Sequence, residues 1–586
     1  MCGIFGFVTS SQKTASTVLE GLKILEYRGY DSWGIAIKKQ SSINIDKHVG
    51  KIGNAKTSLP DTTLAIGHTR WATHGGVTTA NSHPHLNCTK KLAIVHNGIF
   101  ENFEKIKQKL LKKGHKFTSQ TDTEVIVHLI EEELKTKSFS IAVIDAFNQM
   151  HGLNAIVVMN VITHEIIAAK NGSPLIIGIT DDGFIIASDL SPILSTTQKV
   201  IILKDNELAV LGKKLNLFSL PSGKKITPNI EIIDWKIETS TKGTFKHFML
   251  KEIFEQPNVI RNIANNYSDQ IKKLATLVKN AQGTFFIAAG TAYNAALGGI
   301  YLFSKVAHRH VNAALASEFN YLLDFLTKKS LAIALSQSGE TIDVIEPLSS
   351  AKKKGVTIAG IVNTLGSTLY RMSDFKLLLG AGPEKAVAST KAYTAKLSVL
   401  LMTSYELANK TEIIQHQMLE AANEIEKMTK KKFTDQIKHL AKILSKTSHI
   451  YTLGRGASYP TALEAALKIK EVSYIPTEGL AGGELKHGTI ALIEKGTPVI
   501  VFAPNDETYE AMISNATEIK SRGGMIIGVS FRNSDVFDEY IRIKDLGDAT
   551  LLTQIVPMQL LAYYLALELK LDPDKPRNLA KSVTVK

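Results

Sequence analysis

Cysteine is scarce in this sequence of 586 residues, which contains two, Cys2 and Cys88. Two cysteines cannot form a disulfide framework, and such scarcity is typical of proteins of a reducing cytosol. No uninterrupted apolar run reaches the roughly 18 residues of a membrane span. The apolar segment at the start of the sequence ends at Thr9, so it is too short for a secretion signal. We therefore expect a cytoplasmic protein without a membrane partner.

Acidic residues are outnumbered, since 69 Lys and Arg against 55 Asp and Glu give a net charge of +14. The basic residues are scattered, and the densest cluster, at 430–432, lies within an amphipathic helical pattern. The sequence shows no aromatic-rich basic platform and no zinc-finger spacing. We therefore expect no nucleic-acid partner, and a basic surface that favours an anionic metabolite explains the charge equally well.

The first 240 residues consist mainly of short apolar runs separated by Gly, Asp and Ser. The runs predict strands at 34–37, 64–67, 92–95, 155–160, 166–169, 175–179, 184–187, 200–203 and 207–211. Helical patterns cover 14–26, 102–113 and 122–135. This is typical of an antiparallel α+β domain with two stacked sheets. The stretch 212–250 is polar and rich in turns, so we place a domain boundary near residue 240.

After residue 240 strands and helices alternate, as in a doubly wound parallel α/β sheet. The order of segments then repeats, because Gly290 matches Gly454 and SQSGET at 336–341 matches APNDET at 503–508. The first copy has hydroxyls at a strand-to-helix turn, where backbone N–H groups favour a phosphate. The second copy has Ala and Pro there. We therefore expect two tandem modules with one phosphate site.

Cys2 becomes the first residue if Met1 is removed, which places a thiol and a free α-amine on one residue. The α-amine, with a pKa of about 8, can accept the proton of the thiol, so one residue supplies nucleophile and base. The alternative is an ordinary buried strand that begins with cysteine.

Further candidates in the first half each have a structural alternative. Arg70 could clamp a carboxylate or sit in an ion pair, and Trp71 could gate a site or fill a core. Asn97 and Gly98 could form an oxyanion hole or a turn. Asp122 could face a substrate ammonium or cap a helix.

Candidates in the second half are equally open. The hydroxyls near 336–341 and at 388–391 could bind phosphate or cap helices. Glu464, Lys468 and Glu471 share one helix face, which favours a solvent-exposed ion pair, although apolar neighbours allow a dry cleft. His487, beside a glycine turn, could be structural.

Five segments of the first half resemble the glutamine amidotransferase domain of N-terminal nucleophile hydrolases. They are MCGI at 1–4, EYRGYDS at 26–32, HTRWATHG at 68–75, HNGI at 96–99 and TDTE at 121–124. The resemblance implies that Cys2 attacks the side-chain amide of glutamine and that Asn97 and Gly98 hold the oxyanion. It also implies that Arg70 binds the α-carboxylate and Asp122 the α-amine.

The second half resembles paired sugar-isomerase (SIS) domains, and the whole chain resembles isomerising glutamine–fructose-6-phosphate aminotransferases. The segments that carry this are SQSGET at 336–341, ASTK at 388–391, ELKHG at 484–488 and the tail at 577–585. The implied domains are an amidotransferase domain at 1–240, SIS domains at 241–425 and 426–575, and an active-site tail at 576–586.

This second resemblance also implies roles. Lys581 forms a Schiff base with fructose 6-phosphate, Glu471 moves a proton between C1 and C2, Lys468 assists, and His487 of the partner subunit in a homodimer opens the ring. Trp71 gates the passage of ammonia. The implied sugar-phosphate residues are Thr291, Ser336, Gln337, Ser338, Thr341 and Ala388. No metal or organic cofactor is implied.

Two rival functions are less consistent with the sequence. Glutamine-dependent phosphoribosyl transfer shares the first half but needs a phosphoribosyl-pyrophosphate loop, which we do not find. A sugar-phosphate-sensing regulator would lack a lysine nucleophile in the tail and would normally carry a DNA-binding module.

Overall fold

A computed structural model describes residues 2–233 and 242–582 of the chain. Two compact units are distinguished by their internal packing. The first consists of Met1–Glu238 together with Ala580–Lys586, and the second of Thr239–Leu579. The predicted boundaries of the individual domains stay predictions.

The first unit contains fifteen strands and four α-helices among its described residues. The strands are β1 (Gly3–Lys13), β2 (Ser32–Lys39), β3 (Ser42–Val49), β4 (Thr62–Arg70), β5 (His85–Leu86), β6 (Leu92–Gly98), β7 (Asn154–Asn160), β8 (Glu165–Lys170), β9 (Ile176–Thr180), β10 (Gly183–Ala187), β11 (Lys199–Ile202), β12 (Glu207–Leu211), β13 (Leu215–Ser219), β14 (Lys224–Ile226) and β15 (Glu231–Ile232). The helices are α1 (Ser16–Leu25), α2 (Phe103–Lys112), α3 (Asp122–Glu133) and α4 (Phe139–Asn148).

These strands form two antiparallel sheets. The first has the order β15-β11-β9-β10-β1-β4-β2-β3, and the second has the order β14-β13-β12-β8-β7-β6-β5. Side chains alternate across β1, so Ile4 and Val8 enter the core between the sheets, while Phe5 and Phe7 pack beneath α1. The opposite face of the second sheet is covered by α2, α3 and α4. The resulting α-β-β-α sandwich confirms the predicted fold of this half.

The second unit alternates strands and helices. Its strands are β16 (Gly283–Ala288), β17 (Asn312–Leu315), β18 (Ser330–Ser336), β19 (Thr357–Val362), β20 (Phe375–Leu378), β21 (Ile450–Gly454), β22 (Thr477–Ala481), β23 (Pro498–Ala503), β24 (Met525–Ser530) and β25 (Glu539–Arg542). Its helices are α5 (Phe248–Asn266), α6 (Ser268–Asn280), α7 (Thr291–Lys305), α8 (Ala316–Phe319), α9 (Ile342–Lys353), α10 (Thr368–Met372), α11 (Lys391–Leu407), α12 (Thr411–Met428), α13 (Lys431–Leu444), α14 (Ser458–Ser473), α15 (Tyr509–Lys520) and α16 (Thr550–Glu568).

Both sheets of this unit are parallel and have the same topology. Their orders are β17-β16-β18-β19-β20 and β22-β21-β23-β24-β25. In each sheet the chain reverses its direction of winding between the first and third strands, which is where ligands of such folds bind. In the first sheet this switch point lies between β16 and β18, and the strand turns after them carry Thr291 and Ser336. The predicted pair of doubly wound modules is confirmed.

One helix of the second unit has the length and apolar composition of a membrane span. It covers Gly547–Glu568, and 94% of its apolar window is buried by the rest of the protein. The helix contains no uninterrupted apolar run of that length, because Thr and Gln residues interrupt its sequence. Its apolar surface is explained by core packing, since its side chains belong to the main core of this unit.

The polar, turn-rich stretch 212–250 also contains regular secondary structure. Strands β13, β14 and β15 and the start of α5 lie in that stretch, while residues 234–241 lie outside the described part. The strands escaped notice because they are short and half-exposed, so they lack a strong apolar pattern.

Candidate active sites

Cys2 lies immediately before β1 and is half-buried. The backbone N–H of Trp71 donates to its Sγ at 3.2 Å. Burial raises the pKa of the Cys2 thiol, although the Trp71 N–H and the Arg70 guanidinium oppose the shift. A thiol that stays protonated needs a base beside it, and a free α-amine on the same residue would supply one.

A polar pocket opens beside Cys2. It is lined by Cys2, Arg70, Trp71, Thr73, His74, His83, His96, Asn97, Gly98, Thr121, Asp122 and Thr123. The pocket contains all the amidotransferase candidates that the sequence indicated. The structure therefore brings together residues from β4, β6, α3 and the chain terminus.

Asn97 is held in a defined orientation. Its Nδ2 donates to the carbonyl oxygen of Cys2 at 3.0 Å, so its N–H group lies at the backbone of the residue that carries the nucleophile. His68 Nε2 lies 3.1 Å from Asn97 Oδ1 and 3.1 Å from the His96 carbonyl. Both partners accept, so this nitrogen carries the proton. Burial lowers the pKa of His68 to about 3, which keeps the ring neutral. Sequence reasoning quoted His68 in a motif but missed this positioning role.

Gly98 ends β6 and is paired with Asn154 of β7, so the Asn97–Gly98 pair does not form a hairpin turn. Its φ is +148°, and a Cβ atom there would lie 2.4 Å from the carbonyl oxygen of Leu153. Glycine is therefore required for the strand to end against β7 at this edge of the pocket.

Arg70 is buried, and within the described residues it makes no ion pair of the kind that the sequence allowed as an alternative. Its guanidinium donates to the carbonyl oxygens of His74, Gly75 and Gly76 at 2.5, 3.0 and 3.1 Å. Arg70 thus shapes the loop that begins at Trp71. Trp71 itself is half-buried at the pocket, so it is not a core side chain.

Asp122 is the first residue of α3, yet the cap belongs to its neighbour, because the Thr121 hydroxyl accepts from the N–H of Glu124. Asp122 instead accepts from the N–H of Phe100 at 2.9 Å through Oδ2. It is buried and lines the pocket. A carboxylate in this place suits the binding of an ammonium group.

In the second unit, the face of α14 that carries Glu464, Lys468 and Glu471 does not point to solvent. Lys468 and Glu464 are fully buried. Lys468 Nζ lies 2.5 Å from Glu471 Oε2 and 3.6 Å from Glu464 Oε1. The preferred interpretation, a solvent-exposed ion pair, was therefore wrong, because both Lys468 and Glu464 are buried.

The start of α7 completes this polar cluster. Lys468 donates to the hydroxyl of Thr291 at 2.9 Å, and that hydroxyl donates to Glu464 at 3.1 Å. Asn294 donates to the other oxygen of Glu464 at 2.8 Å. Burial raises the pKa of Glu464 to about 7. Burial would lower the pKa of Lys468, but Glu471 and Glu464 outweigh it and raise that pKa.

The hydroxyls at 336–341 form a turn and do not cap α9. Ser336 ends β18, and its hydroxyl accepts from the N–H of Gly339 at 3.0 Å. Ser338 accepts from the N–H of Glu340 at 3.2 Å. Thr341 occupies the cap position of α9 without a side-chain cap bond. This geometry at the end of a parallel strand suits a phosphate.

Gln337 and Ala388 are the other predicted sugar-phosphate residues of the first module. The carbonyl of Gln337 accepts from the N–H of Asn363 at 3.1 Å. Ala388 is buried before α11, and the adjacent Ser389 donates to Glu384 at 2.9 Å. Glu384 was missed by sequence reasoning because no local motif marks it.

His487 and Lys581 are the remaining candidates. His487 is exposed at the end of a short 3-10 turn, Glu484–His487, so it has no core role. Lys581 is partly exposed near the end of the described chain. Residues 583–586 of the predicted tail lie outside the described part.

Both halves of the chain match known protein families. A glutamine amidotransferase domain family matches residues 68–195, and a SIS domain family matches residues 277–404 and 443–568. The C-terminal domain of glucosamine-fructose-6-phosphate aminotransferase from Francisella tularensis superposes with a TM-score of 0.54 at 32% identity, covering 57% of this chain and 100% of that chain.

Full-length relatives are also similar to this chain. A glutamine–fructose-6-phosphate aminotransferase [isomerizing] of Pyrococcus horikoshii is 43% identical over 598 residues, and one of Thermococcus kodakarensis is 41% identical over 602 residues. Each alignment covers 100% of both chains. The chain belongs to the family of isomerising glutamine–fructose-6-phosphate aminotransferases.

Proposed function

We propose that this chain transfers the amide nitrogen of glutamine to fructose 6-phosphate and isomerises the product to glucosamine 6-phosphate, releasing glutamate. This is the entry reaction of amino-sugar synthesis. The observation that carries the proposal is the pocket in which the Cys2 thiol, the Asn97 amide and the Asp122 carboxylate meet. An acyl-transfer site of this kind needs a nucleophile, an oxyanion donor and a group that orients the substrate.

In the first unit, the α-amine of Cys2 accepts the thiol proton after Met1 has been removed. The thiolate attacks the side-chain amide carbon of glutamine, and the C–N bond breaks as ammonia leaves with that proton. Asn97 Nδ2 and the Gly98 N–H stabilise the oxyanion. Arg70 binds the α-carboxylate and Asp122 the α-amine, and water then releases glutamate. Trp71 gates the route of ammonia.

For the sugar reaction, the turn at 336–341 binds the phosphate. The residues assigned to this binding are Ser336, Gln337, Ser338, Thr341, Thr291 and Ala388. Lys581 forms a Schiff base with the ketose carbon. Ammonia displaces the lysine, and Glu471 moves a proton from C1 to C2 to give the amino aldose. Lys468, which contacts Glu471, holds that carboxylate in place.

The active form in this proposal is a cytoplasmic homodimer whose substrates are small molecules. The exposed position of His487 supports a contribution to the site of the partner subunit, where it opens the sugar ring. The proposal includes no nucleic-acid or membrane partner.

The direct test is an assay of the full-length chain with glutamine and fructose 6-phosphate that measures glutamate and glucosamine 6-phosphate together. We expect equal amounts of both products. Cys2→Ala should abolish both, while fructose 6-phosphate still binds with unchanged affinity. Glutamate release without any amino sugar, with all ketose phosphates tested, would overturn the transferase assignment.

A further inference from the structure

Four side chains with metal-ligand chemistry meet in the first unit, and none of them lines the Cys2 pocket. They are Cys88, His115, His128 and Glu131, and their ligand atoms all lie within 4.8 Å of one another. Cys88 is in the loop between β5 and β6, and His115 in the loop between α2 and α3. His128 and Glu131 lie one turn apart on α3.

The distances between these ligand atoms can be compared with those around a bound metal ion. Glu131 Oε2 lies 3.3 Å from His115 Nδ1 and 3.3 Å from His128 Nδ1. The two Nδ1 atoms are 3.4 Å apart. Cys88 Sγ lies 3.5 Å from His128 Nδ1 and 3.8 Å from His115 Nδ1. Ligands about 2.0–2.3 Å from a tetrahedral Zn²⁺ are separated by about 3.3–3.8 Å, so the observed distances fit that ion.

In both imidazoles Nδ1 faces the centre of the cluster and Nε2 faces outward. His115 Nε2 lies 3.0 Å from Glu132 Oε2, so it carries the proton and leaves Nδ1 as a lone pair. His128 Nε2 is buried without a hydrogen bond, and its nearest carboxylate is Glu124 Oε1 at 3.8 Å. His115 therefore has the arrangement of a metal-binding histidine, in which an outer carboxylate orients the ring.

Without a cation, the inward-facing atoms are poorly matched. Two imidazole lone pairs, a carboxylate oxygen and a sulfur face one another, and all of them are acceptors unless protonated. One thiolate and one carboxylate balance the charge of a divalent ion. The other oxygen of Glu131 accepts from Asn87 and the N–H of Thr89 at 2.8 and 3.1 Å, which fixes the carboxylate.

We propose that Cys88, His115, His128 and Glu131 bind one Zn²⁺ ion in a structural site. Four protein ligands close the coordination sphere, so the site has no open position for catalysis. The ion joins two loops to α3, whose first residue, Asp122, lies at the Cys2 pocket. Sequence reasoning missed the site because the four ligands are far apart in the chain and lack a short Cys-rich spacing.

The test is metal analysis of the full-length chain, purified without a metal-affinity step. We expect about one Zn²⁺ per chain by mass spectrometry after dialysis. Replacement by Co²⁺ should give the visible absorption of a tetrahedral ion and a near-ultraviolet thiolate band. Less than a tenth of an equivalent of Zn²⁺, together with no Co²⁺ spectrum, would overturn the proposal.

The two cysteines provide a matched pair of variants. Cys88→Ala should remove the thiolate band and weaken Zn²⁺ binding by about tenfold or more. Because Cys88 is exposed, this change should leave the fold intact, which circular dichroism checks. Cys2→Ala also removes one thiol and should leave the band and the affinity unchanged. Equal losses in both variants, or a band that survives Cys88→Ala, would contradict the assignment.

Discussion

Glu464 is a carboxyl group whose chemistry is set by burial. It is fully buried beside Lys468 and Thr291, and burial raises its pKa to about 7 from an ordinary value of 4.5. Between pH 4.5 and about 7, Glu464 therefore keeps its proton in the folded chain but has released it in the unfolded chain. Rising pH therefore lowers the free energy of unfolding between pH 4.5 and about 7, and has no further effect above that.

Glu464→Gln should remove this pH dependence, because glutamine resembles the protonated acid. The unfolding temperature of the variant minus that of the wild type should rise by about 2–4 °C between pH 5 and pH 7 and stay constant from pH 7.5 to 8.5. Differential scanning fluorimetry across this range measures it. A difference that is the same at all pH values would show that Lys468 keeps Glu464 ionised throughout.

At the level of single residues, the sequence indicated most of the candidate site but not its surroundings. Cys2, Arg70, Asn97 and Asp122 were found because each stands in a local motif, and they share one pocket. The environment of Lys468 was misjudged because an i, i+4 spacing gives the helix face but not the elements that cover it. Here α7 covers that face, and no local pattern shows this.

Gly339 determines the shape of the turn between β18 and α9. Its φ is +65°, and a Cβ atom there would lie 2.1 Å from the hydroxyl oxygen of Ser367. Gly496 has a φ of +85° with no atom within 4 Å of a built Cβ. Alanine at Gly496 therefore introduces backbone strain alone, whereas alanine at Gly339 introduces both backbone strain and a steric clash.

We expect Gly339→Ala to displace the turn and raise the KM for fructose 6-phosphate by about tenfold, since about 1.4 kcal/mol of lost phosphate binding corresponds to that factor. Gly496→Ala should cost only about 1–2 kcal/mol of backbone strain and leave the KM unchanged. Steady-state kinetics at several sugar concentrations measure both variants. A normal KM in Gly339→Ala would place the phosphate away from this turn.

At the level of elements, strands with a continuous apolar run were predicted well, and edge strands were not. The runs at 92–95 and 155–160 became β6 and β7, which are buried on both faces. By contrast, β3 is an edge strand beside β2, and all of its side chains are half-exposed or exposed. An edge strand of this kind lacks the alternation that the prediction depends on.

At the scale of the whole second unit, the repeat in the sequence corresponds to two sheets that share one core. Phe286 and Ile333 of the first sheet belong to the same buried cluster as Phe502 and Ile527 of the second. The bonds from Thr291 and Asn294 to Glu464 join α7 and α14, the helices that follow the first strand of each module. The modules are therefore coupled through a polar cluster at the proposed sugar site, which neither module could form alone.

The last prediction concerns the assembly, since His487 is proposed to act in the partner subunit. His487→Ala and Lys581→Ala should each abolish amino-sugar formation. If the two variants are mixed equally and the subunits exchange, half of the dimers contain one chain of each kind. In these, one site combines a normal Lys581 with a normal His487 from the other chain.

That mixture should regain about one quarter of the wild-type activity, because one site in four is complete after random exchange. Cys2 is intact in both variants, so ammonia supply does not limit the result. Mass spectrometry of the mixture establishes that exchange has occurred, and unmixed variants are the baseline. Activity that stays at the baseline after exchange would mean that His487 acts within its own chain or not at all, because a site built from one chain cannot be repaired by another.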